Sequence, residues 1–338
     1  MHAKITLLMP CYNGMKFIVQ AIDSVLAQSL RDWELIISDD GSKDGTVEFL
    51  RSLRDERIKV HFQSANLGIF GNLNFLFSTA SAPITQILCQ DDYLIGADAL
   101  QRILAIWADL PAEVAFLRCN HGRDGSYGLV RLEQQVLPPI IKPKDSDLYF
   151  FIFGCIPGNL SNVSVRTPVV AQMGWYRTDL PFAGDFEFWS RTGRSRPWAL
   201  NAVHVVQVRR HLEQASTTLN RQGELLPQLF LILDGLYRVL RVRGYGAFDL
   251  RLTATVLYVV RHLDGALRQA YMGTGWGYLK SVNRWFVGTE CFLGAASSWL
   301  IYVMTAGGRL FAPTMAKRLL NRHQPSIDGQ QPDGHVLP

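Results

Sequence analysis

Four short apolar runs alternate with amphipathic segments along the first quarter of the chain. The runs are Ile5–Met9, Trp33–Ser38, Ile58–Phe62 and Ile84–Cys89. Apolar residues recur at helical spacing between them, at Phe17, Ile18, Ala21, Ile22, Val25 and Leu26, at Val47, Leu50 and Leu53, and at Ile69, Leu73, Leu76 and Ala80. Strands that alternate with helices predict an α/β fold with a mostly parallel central sheet flanked by helices.

Two acidic doublets, Asp39-Asp40 and Asp91-Asp92, follow the second and fourth runs. Ligands of open α/β sheets bind at the carboxyl ends of the strands, so the doublets predict one acidic crevice. A divalent cation carrying phosphate groups would neutralise this crevice, because hard cations prefer carboxylate and phosphate oxygens. The alternative is that each doublet only caps a helix, which fits one doublet better than two.

Composition narrows the choice of partners. The chain has 338 residues, 48% of them hydrophobic, with a net charge of +5, which suits phosphate groups or a membrane surface. The first 200 residues contain no dense basic run interleaved with aromatic residues, which argues against nucleic acid. The five cysteines show no CxxC spacing, so neither a zinc site nor a disulfide framework is indicated.

The turn after the first run has the sequence Pro10-Cys11-Tyr12-Asn13-Gly14. It lacks the G-x-G-x-x-G pattern of a dinucleotide fold, which argues against a nicotinamide enzyme. It also lacks the Gly-rich loop with Arg and Lys that a sugar-nucleotide pyrophosphorylase would need. The residues before Ile5 have no signal-peptide pattern, so we expect the catalytic part in the cytoplasm.

Three ordered segments, Met9–Gly14, Ala21–Gln28 and Trp33–Thr46, resemble the opening of family 2 glycosyltransferases. The resemblance covers about the first 95 residues and resumes around residues 158–216. It implies an inverting enzyme with a GT-A fold, which is Rossmann-like, and a nucleotide-diphosphate sugar as donor. UDP is the nucleotide that the family most often uses, while dTDP and GDP stay open.

The resemblance also implies a donor site. Pro10 and Tyr12 would border the nucleotide base, and Asp40 and Asp91 would contact the nucleotide. Asp92 would bind Mn²⁺ or Mg²⁺. Most relatives read Asp-x-Asp-Asp at this motif, whereas Cys89 replaces the first carboxylate here, which leaves open which acid binds the metal directly.

The segment Phe182–Arg191 resembles the acidic motif of the family, in which Asp185 would be the general base. Its aromatic surroundings would raise the pKa of the carboxyl group toward useful base strength. Asp185 could instead be a helix cap, and Glu187 could simply pair with Arg191 four residues on. Glu187 and Trp189 are further candidates for the diphosphate or acceptor site.

A basic segment follows the predicted strand Ala202–Val208. The resemblance implies that Arg209 and Arg210 contact the diphosphate and that His211 is a further metal ligand. The alternative is a solvated basic loop.

We predict four regions: residues 1–110 as the nucleotide-sugar-binding half, 111–220 as the acceptor-binding half, 221–322 as a C-terminal helical region and 323–338 as a disordered tail. Within the helical region, Cys291–Gly308 contains no charged residue. A buried helix, a helix lying in a membrane interface and a membrane span remain open for it.

Together with these patterns, the resemblance implies a metal-assisted inverting glycosyltransferase. Its acceptor would be a saccharide in envelope polysaccharide or lipopolysaccharide synthesis, lipid-linked if the helical region attaches to a membrane. The enzyme would then lie at the inner face of the cytoplasmic membrane. The alternative is a degenerate, non-catalytic protein that binds nucleotide sugars in an envelope assembly, which the Cys89 replacement supports. The sequence does not name the sugar, the linkage or the oligomeric state.

Overall fold

A computed structural model describes residues 3–121, 128–211, 224–273, 276–285, 289–305, 307 and 311–322. The predicted tail, residues 323–338, lies outside the described residues.

The core of the fold is an eight-stranded sheet in the order β3-β2-β1-β4-β8-β6-β9-β7. Its strands are β1 Ile5–Cys11, β2 Trp33–Asp39, β3 Ile58–Phe62, β4 Ile84–Ile87, β6 Phe116–Arg118, β7 Ile140–Ile141, β8 Val163–Arg166 and β9 Trp198–Leu200. β1 to β4 are mutually parallel, as are β6 and β9, while β8 and β7 run antiparallel to their neighbours. A small antiparallel sheet joins β5 Tyr93–Leu94 to β10 Val206–Gln207.

Helices cover this sheet and continue beyond it. Those in the first part are α1 Met15–Leu26, α2 Thr46–Ser52, α3 Gly68–Thr79, α4 Ala99–Asp109, α5 Gly128–Val136, α6 Pro143–Phe153, α7 Thr167–Gln172 and α8 Gly184–Ser195. The C-terminal helices are α9 Leu225–Val242, α10 Ala247–Ala254, α11 Val260–Tyr271, α12 Trp276–Trp285, α13 Ala295–Met304 and α14 Ala312–Leu320. A π-helical stretch, Thr255–Val259, joins α10 to α11.

The predicted α/β architecture with a C-terminal helical region is confirmed. Every residue of β2 is buried, and so is all of β1 apart from Pro10, as expected for strands covered on both faces. The fourth apolar run forms a strand only as far as Ile87, because the chain then turns away from the sheet toward the second acidic doublet. Of the predicted strand Ala202–Val208, only Val206–Gln207 forms a strand, because only these two residues pair with β5.

The first two C-terminal helices, α9 and α10, pack against α6. Asp147 in α6 is fully buried and pairs with Arg194 of α8 at 2.9 Å and with Arg243, which follows α9, at 2.8 Å. Within the described part of the segment 291–308, Ala295–Met304 forms the short helix α13, whose buried side chain is Ser298. Among the described helices, none combines the length and the apolar character needed to span a bilayer.

Candidate active site

The turn after β1 is bonded to the loop that follows β2. Asn13 has a left-handed backbone, with φ of 49°, and its side-chain oxygen accepts from the Lys43 amide at 2.8 Å. The amides of Asn13, Gly14 and Met15 donate to the side chains of Ser42, Thr46 and Asp44 at 2.7, 3.0 and 3.0 Å. The polar residues after the first acidic doublet therefore hold this turn in place.

Gln90, which lies between Cys89 and the doublet Asp91-Asp92, fixes the position of Tyr12. Its side-chain oxygen accepts from the Tyr12 amide and its side-chain nitrogen donates to the Tyr12 carbonyl, both at 2.9 Å. A Cβ on Gly14 would lie 2.1 Å from the Gln90 oxygen, so a larger residue there would displace the Gln90 side chain from Tyr12. The Tyr12 side chain is 50% exposed, which leaves its ring free to meet a flat ligand.

Asp40 lies at the entry to α3. Its two carboxylate oxygens accept from the amides of Leu67 and Gly68, at 2.7 and 3.0 Å, and Asn66 donates to its backbone carbonyl at 2.9 Å. The segment Asn66-Leu67-Gly68 is thus held in place by Asp40. Burial raises the pKa of Asp40 above its ordinary value, against the effect of the two amides. A carboxylate has about four lone-pair sites, so these two bonds leave others unused.

The second doublet forms an acidic cluster with Cys89. The sulfur of Cys89 and carboxylate oxygens of Asp91 and Asp92 lie within 4.8 Å of one another. Asp92 is fully buried, and its Oδ2 has no hydrogen-bond partner among the described residues. Burial, followed by the neighbouring Asp91 carboxylate, raises the pKa of Asp92 to about 6.

This cluster fits a divalent cation. A buried carboxylate oxygen with no donor, beside a second carboxylate, is costly unless a positive charge neutralises it. Asp91 and Asp92 supply hard oxygen donors, and one or two carboxylates suffice when substrate phosphates complete the shell. The thiol of Cys89 is a poor ligand for Mg²⁺ while it is protonated, and burial, then Asp92 and Asp91, raise its pKa well above its ordinary value.

The basic segment meets this cluster through His211. Its Nε2 lies 3.0 Å from Asp91 Oδ2, and its ring packs on Phe17 with centroids 4.4 Å apart. The amide of Arg209 donates to Asp92 Oδ1 at 2.9 Å, while its guanidinium lies over the rings of Phe17 and Tyr93. Arg210 is exposed. The segment therefore closes on the acidic motif through a backbone amide and an imidazole.

Asp185 occupies the first turn of α8, as the sequence predicts. Its Oδ1 accepts from the Phe186 amide at 2.7 Å, and its Oδ2 accepts from the Cys155 thiol at 3.8 Å. Burial raises the pKa of Asp185 to about 6, while these two donors oppose the shift. A partly buried carboxylate with a pKa near neutrality can accept a proton from a substrate hydroxyl.

One segment, residues 155–162, contacts both the acidic cluster and Asp185. Cys155 donates to Asp185, and the Ser161 hydroxyl accepts from the Cys89 amide at 2.9 Å. Helix α3 makes a second connection, since Asp40 bonds its first turn and a Cβ on Gly184 would lie 2.7 Å from the Phe70 ring. Residues 155–162 and helix α3 therefore connect the acidic cluster and Asp40 to the segment that carries Asp185.

Two predicted acceptor-site residues have other partners. Trp189 is fully buried and its ring lies against Phe116 and Tyr176, so it belongs to the core and does not reach a ligand. The Glu187 carboxylate pairs with Arg191 at 2.7 Å, as its spacing allows. The residues that sequence reasoning missed are Gln90, Cys155 and Ser161, which act across long stretches of chain.

The profile of glycosyl transferase family 2 matches residues 6–162, which contain the first turn and both acidic doublets. Residues 6–162 of this chain therefore form a glycosyl transferase family 2 domain. An uncharacterized glycosyltransferase of Rickettsia conorii is 24% identical over 230 residues, covering 66% of this chain and 37% of the relative. One of Haemophilus influenzae is 29% identical over 154 residues, covering 44% of this chain and 57% of the relative. The chain thus spans between a third and three fifths of these relatives.

Solved structures agree with the family assignment at the level of fold. S. aureus TarS 1-349 in complex with UDP-GlcNAc superposes with a TM-score of 0.61 at 14% identity, covering 94% of this chain and 92% of that one. The mannosyltransferase PcManGT of Pyrobaculum calidifontis, in complex with GDP-Man and Mn²⁺, gives 0.51 at 16% identity, covering 95% and 86%. The GT-A fold expected for a family 2 member is confirmed.

Proposed function

We propose that this family 2 member is an inverting glycosyltransferase that moves a sugar from a nucleotide-diphosphate sugar to a hydroxyl group of a saccharide. The observation that carries the proposal is Asp185, a partly buried carboxylate with a pKa of about 6 at the start of α8. Residues 155–162 contact both Asp185 and the acidic cluster at residues 89–92. A direct displacement needs a base and a positive charge near the leaving diphosphate, which a cation held by the acidic cluster would supply.

The donor would bind across the first turn and the second doublet. Tyr12 would border the base beside Pro10, and Asp40 and Asp91 would accept from the imide N–H or the ribose hydroxyls. UDP is the expected nucleotide by resemblance, and TarS in complex with UDP-GlcNAc has a similar fold. PcManGT, in complex with GDP-Man, has one too, so a panel of nucleotides has to decide.

Asp92 would hold Mn²⁺ or Mg²⁺, with Asp91 and His211 beside it. When bound, such an ion would stabilise the charge that develops on the leaving diphosphate. His211 would exchange its contact with Asp91 Oδ2 for the ion or for a phosphate oxygen. Arg210, exposed beside it, would contact the diphosphate.

In the reaction, Asp185 would take the proton of the acceptor hydroxyl. The acceptor oxygen would form a bond to the anomeric carbon from the face opposite the nucleotide. The bond from that carbon to the diphosphate oxygen would break, and this oxygen would keep the electron pair. A single displacement inverts the anomeric configuration and forms no covalent enzyme intermediate.

The membrane is the proposed location of the acceptor. Leu300, Val303 and Met304 of α13 are 60%, 72% and 75% exposed, and the chain carries a net charge of +5. Exposed apolar side chains on a basic protein suit the surface of an anionic bilayer. A lipid-linked saccharide at the inner face of the cytoplasmic membrane would then be the substrate. Leu300→Ser combined with Val303→Ser should reduce co-sedimentation with anionic vesicles, whereas Phe248→Ser, at another exposed position, should not.

Calorimetry with UDP, GDP and dTDP, with and without Mn²⁺, tests the donor site. One nucleotide should bind tightly in a metal-dependent manner, and Asp92→Asn should remove that dependence. Asp109→Asn, an exposed carboxylate on α4, is the matched control. No binding of any nucleotide by the folded protein would refute the donor site.

A non-catalytic sugar-nucleotide binder is the second candidate, and Cys89 in the acidic cluster favours it. Metal-dependent nucleotide binding without hydrolysis or transfer of any of the matching sugars would support it.

A further inference from the structure

Cys155 contacts the proposed base from a well-defined turn. The turn follows α6, begins with Gly154 at φ of 77° and is closed by the Gly158 amide, which donates to the Cys155 carbonyl at 3.0 Å. A backbone of this kind at Gly154 strongly favours glycine, so the path of the chain into Cys155 is fixed. The thiol then lies 3.8 Å from Asp185 Oδ2.

Each oxygen of the Asp185 carboxylate therefore has its own donor. The amide of Phe186 holds Oδ1 from within α8, and the thiol of Cys155 holds Oδ2 from a different part of the chain. The amide alone would allow the helix to carry the carboxylate in more than one orientation. The second donor restricts rotation of the group and leaves its remaining lone pairs to face a substrate hydroxyl.

A thiol suits this position because it is a weak donor. A strong donor would stabilise the charged carboxylate and lower its affinity for a proton. Burial, followed by the charge of Asp185, raises the pKa of Cys155 well above its ordinary value, so the thiol stays protonated and does not compete for the proton.

The other groups facing this pair are also defined. Burial, followed by Asp185 and Cys155, raises the pKa of Tyr176, whose hydroxyl is buried with no hydrogen-bond partner in the part of the chain that the structure describes. Arg118 acts on the thiol and Arg191 on Tyr176, each at a distance. Within the described residues, the thiol is the side chain that bonds Asp185 directly.

We infer that Cys155 is a positioning residue for glycosyl transfer, whose thiol orients Asp185 toward the acceptor hydroxyl and limits the loss of its basicity. This inference rests on the proposed role of Asp185 as the base. Cys155 itself exchanges no proton and forms no bond with the substrate.

The pH profile of kcat/KM is the first test, with Cys155→Ala, Cys155→Ser and the control Cys291→Ala. Loss of the donor in Cys155→Ala should move the acidic limb to higher pH, by about half a unit, since one weak hydrogen bond to the charged form is lost. Cys155→Ser should return the limb to the wild-type position or below it, because a hydroxyl is a stronger donor. KM for the sugar nucleotide should not change.

Cys291 makes a matched control. It is a fully buried thiol beside the Asp234 carboxylate in the C-terminal region, and its amide donates to Asp234 Oδ1 at 2.9 Å. Its removal should leave the acidic limb in place. A limb that stays in place in Cys155→Ala as well, with only thermal stability reduced, would overturn the inference.

The second test does not depend on activity. The S–H stretching band of Cys155, isolated as the Raman difference between wild type and Cys155→Ala, should shift when Asp185 is replaced by Asn. A band unaffected by Asp185→Asn would overturn the contact itself. If Asp185→Asn instead retained full turnover, the proposed base would be wrong, and the Raman result would still decide whether the thiol bonds this side chain.

Discussion

Two carboxylates, Asp92 and Asp185, share the same elevated pKa of about 6 but reach it in different surroundings. Burial is the largest cause in both. In Asp92 the next cause is the neighbouring negative charge of Asp91, which adds to the shift. In Asp185 the next causes are the Phe186 amide and the Cys155 thiol, which oppose it.

This difference separates their chemistry. A cation placed beside Asp92 and Asp91 would remove the repulsion between them and hold both in the charged form. Asp185 has two neutral donors and an apolar setting, so no ion is needed to keep it in place. The first carboxylate is suited to holding a positive charge and the second to accepting a proton, although a single measurement of acidity would not distinguish them.

The strongest test of whether Asp92 and Asp185 have distinct roles is to neutralise each carboxylate in turn. Asp185→Asn should lower kcat by about 10²–10⁴-fold, the usual contribution of a general base, while nucleotide affinity stays at the wild-type level. Asp92→Asn should instead weaken metal-dependent nucleotide binding. Transfer kinetics and calorimetry on both variants measure the two effects.

Asp109→Asn again serves as the control, since this surface carboxylate should change neither quantity. If both active-site variants lost nucleotide affinity equally and kept the same residual kcat, the assignment of two distinct roles would fail.

A third carboxylate, that of Asp147, is buried together with positively charged partners. Asp147 is fully buried like Asp92, but it bridges Arg194 and Arg243 and so joins α6 and α8 to the end of α9. Asp147→Ala should reduce the free energy of unfolding by about 2–4 kcal/mol, below the upper end for buried pairs because both arginines are partly exposed. Urea unfolding measures this loss, and a loss below about 1 kcal/mol would show that the bridge does not couple the two regions.

The sequence predicted the supporting elements better than it predicted the site. The apolar runs located β1 to β4 to within two residues. In β1 and β2, burial on both faces leaves a nearly continuous apolar signal, whereas the partly exposed β3 alternates apolar and polar residues. The order of the acidic motifs along the chain singled out Asp92 as a candidate metal ligand and Asp185 as a candidate base. The contacts of Gln90 with Tyr12 and of Cys155 with Asp185 were missed, since they join residues 78 and 30 positions apart and carry no local pattern.

The sequence misjudged the surroundings of Trp189, whereas the pairing of Glu187 with Arg191 was among its alternatives. Trp189 follows Asp185 by one helical turn, and its aromatic character suggested a ligand contact, yet the helix directs it into the core. Spacing on a helix gives the relative direction of two side chains, and only the packed neighbours decide which direction faces the ligand.

The pH dependence of the stability of Asp185→Asn tests whether burial of this carboxylate is costly. The folded state raises the pKa of Asp185 from 3.8 to about 6, so the charged form destabilises the fold. This cost is absent below the unfolded pKa, grows as pH rises between the two values and is complete above the folded pKa. Asp185→Asn should therefore stabilise the protein at pH 7.5 by about 1–3 kcal/mol, since one pKa unit corresponds to about 1.4 kcal/mol.

The lower end of that range is expected because the carboxylate still contacts solvent at the site. Urea unfolding at pH 7.5 and at pH 4 measures the difference, which should shrink toward zero at pH 4. A variant that is less stable than the wild type at both values would show that the hydrogen bonds of the carboxylate outweigh its desolvation.

The smallest effect is expected at Glu187, two residues beyond Asp185 on the same helix. Its carboxylate bonds Arg191 four residues later, at 2.7 and 2.9 Å, and Arg191 also donates to the Trp175 carbonyl at 2.8 Å. Because the pair is partly exposed, Glu187→Gln should cost about 0.5 kcal/mol of stability and change kcat less than twofold. Thermal unfolding and transfer kinetics check both values. A loss of kcat comparable to that of Asp185→Asn would mean that the acidic motif uses Glu187 in the reaction, because an ion pair between helix neighbours cannot change the rate by orders of magnitude.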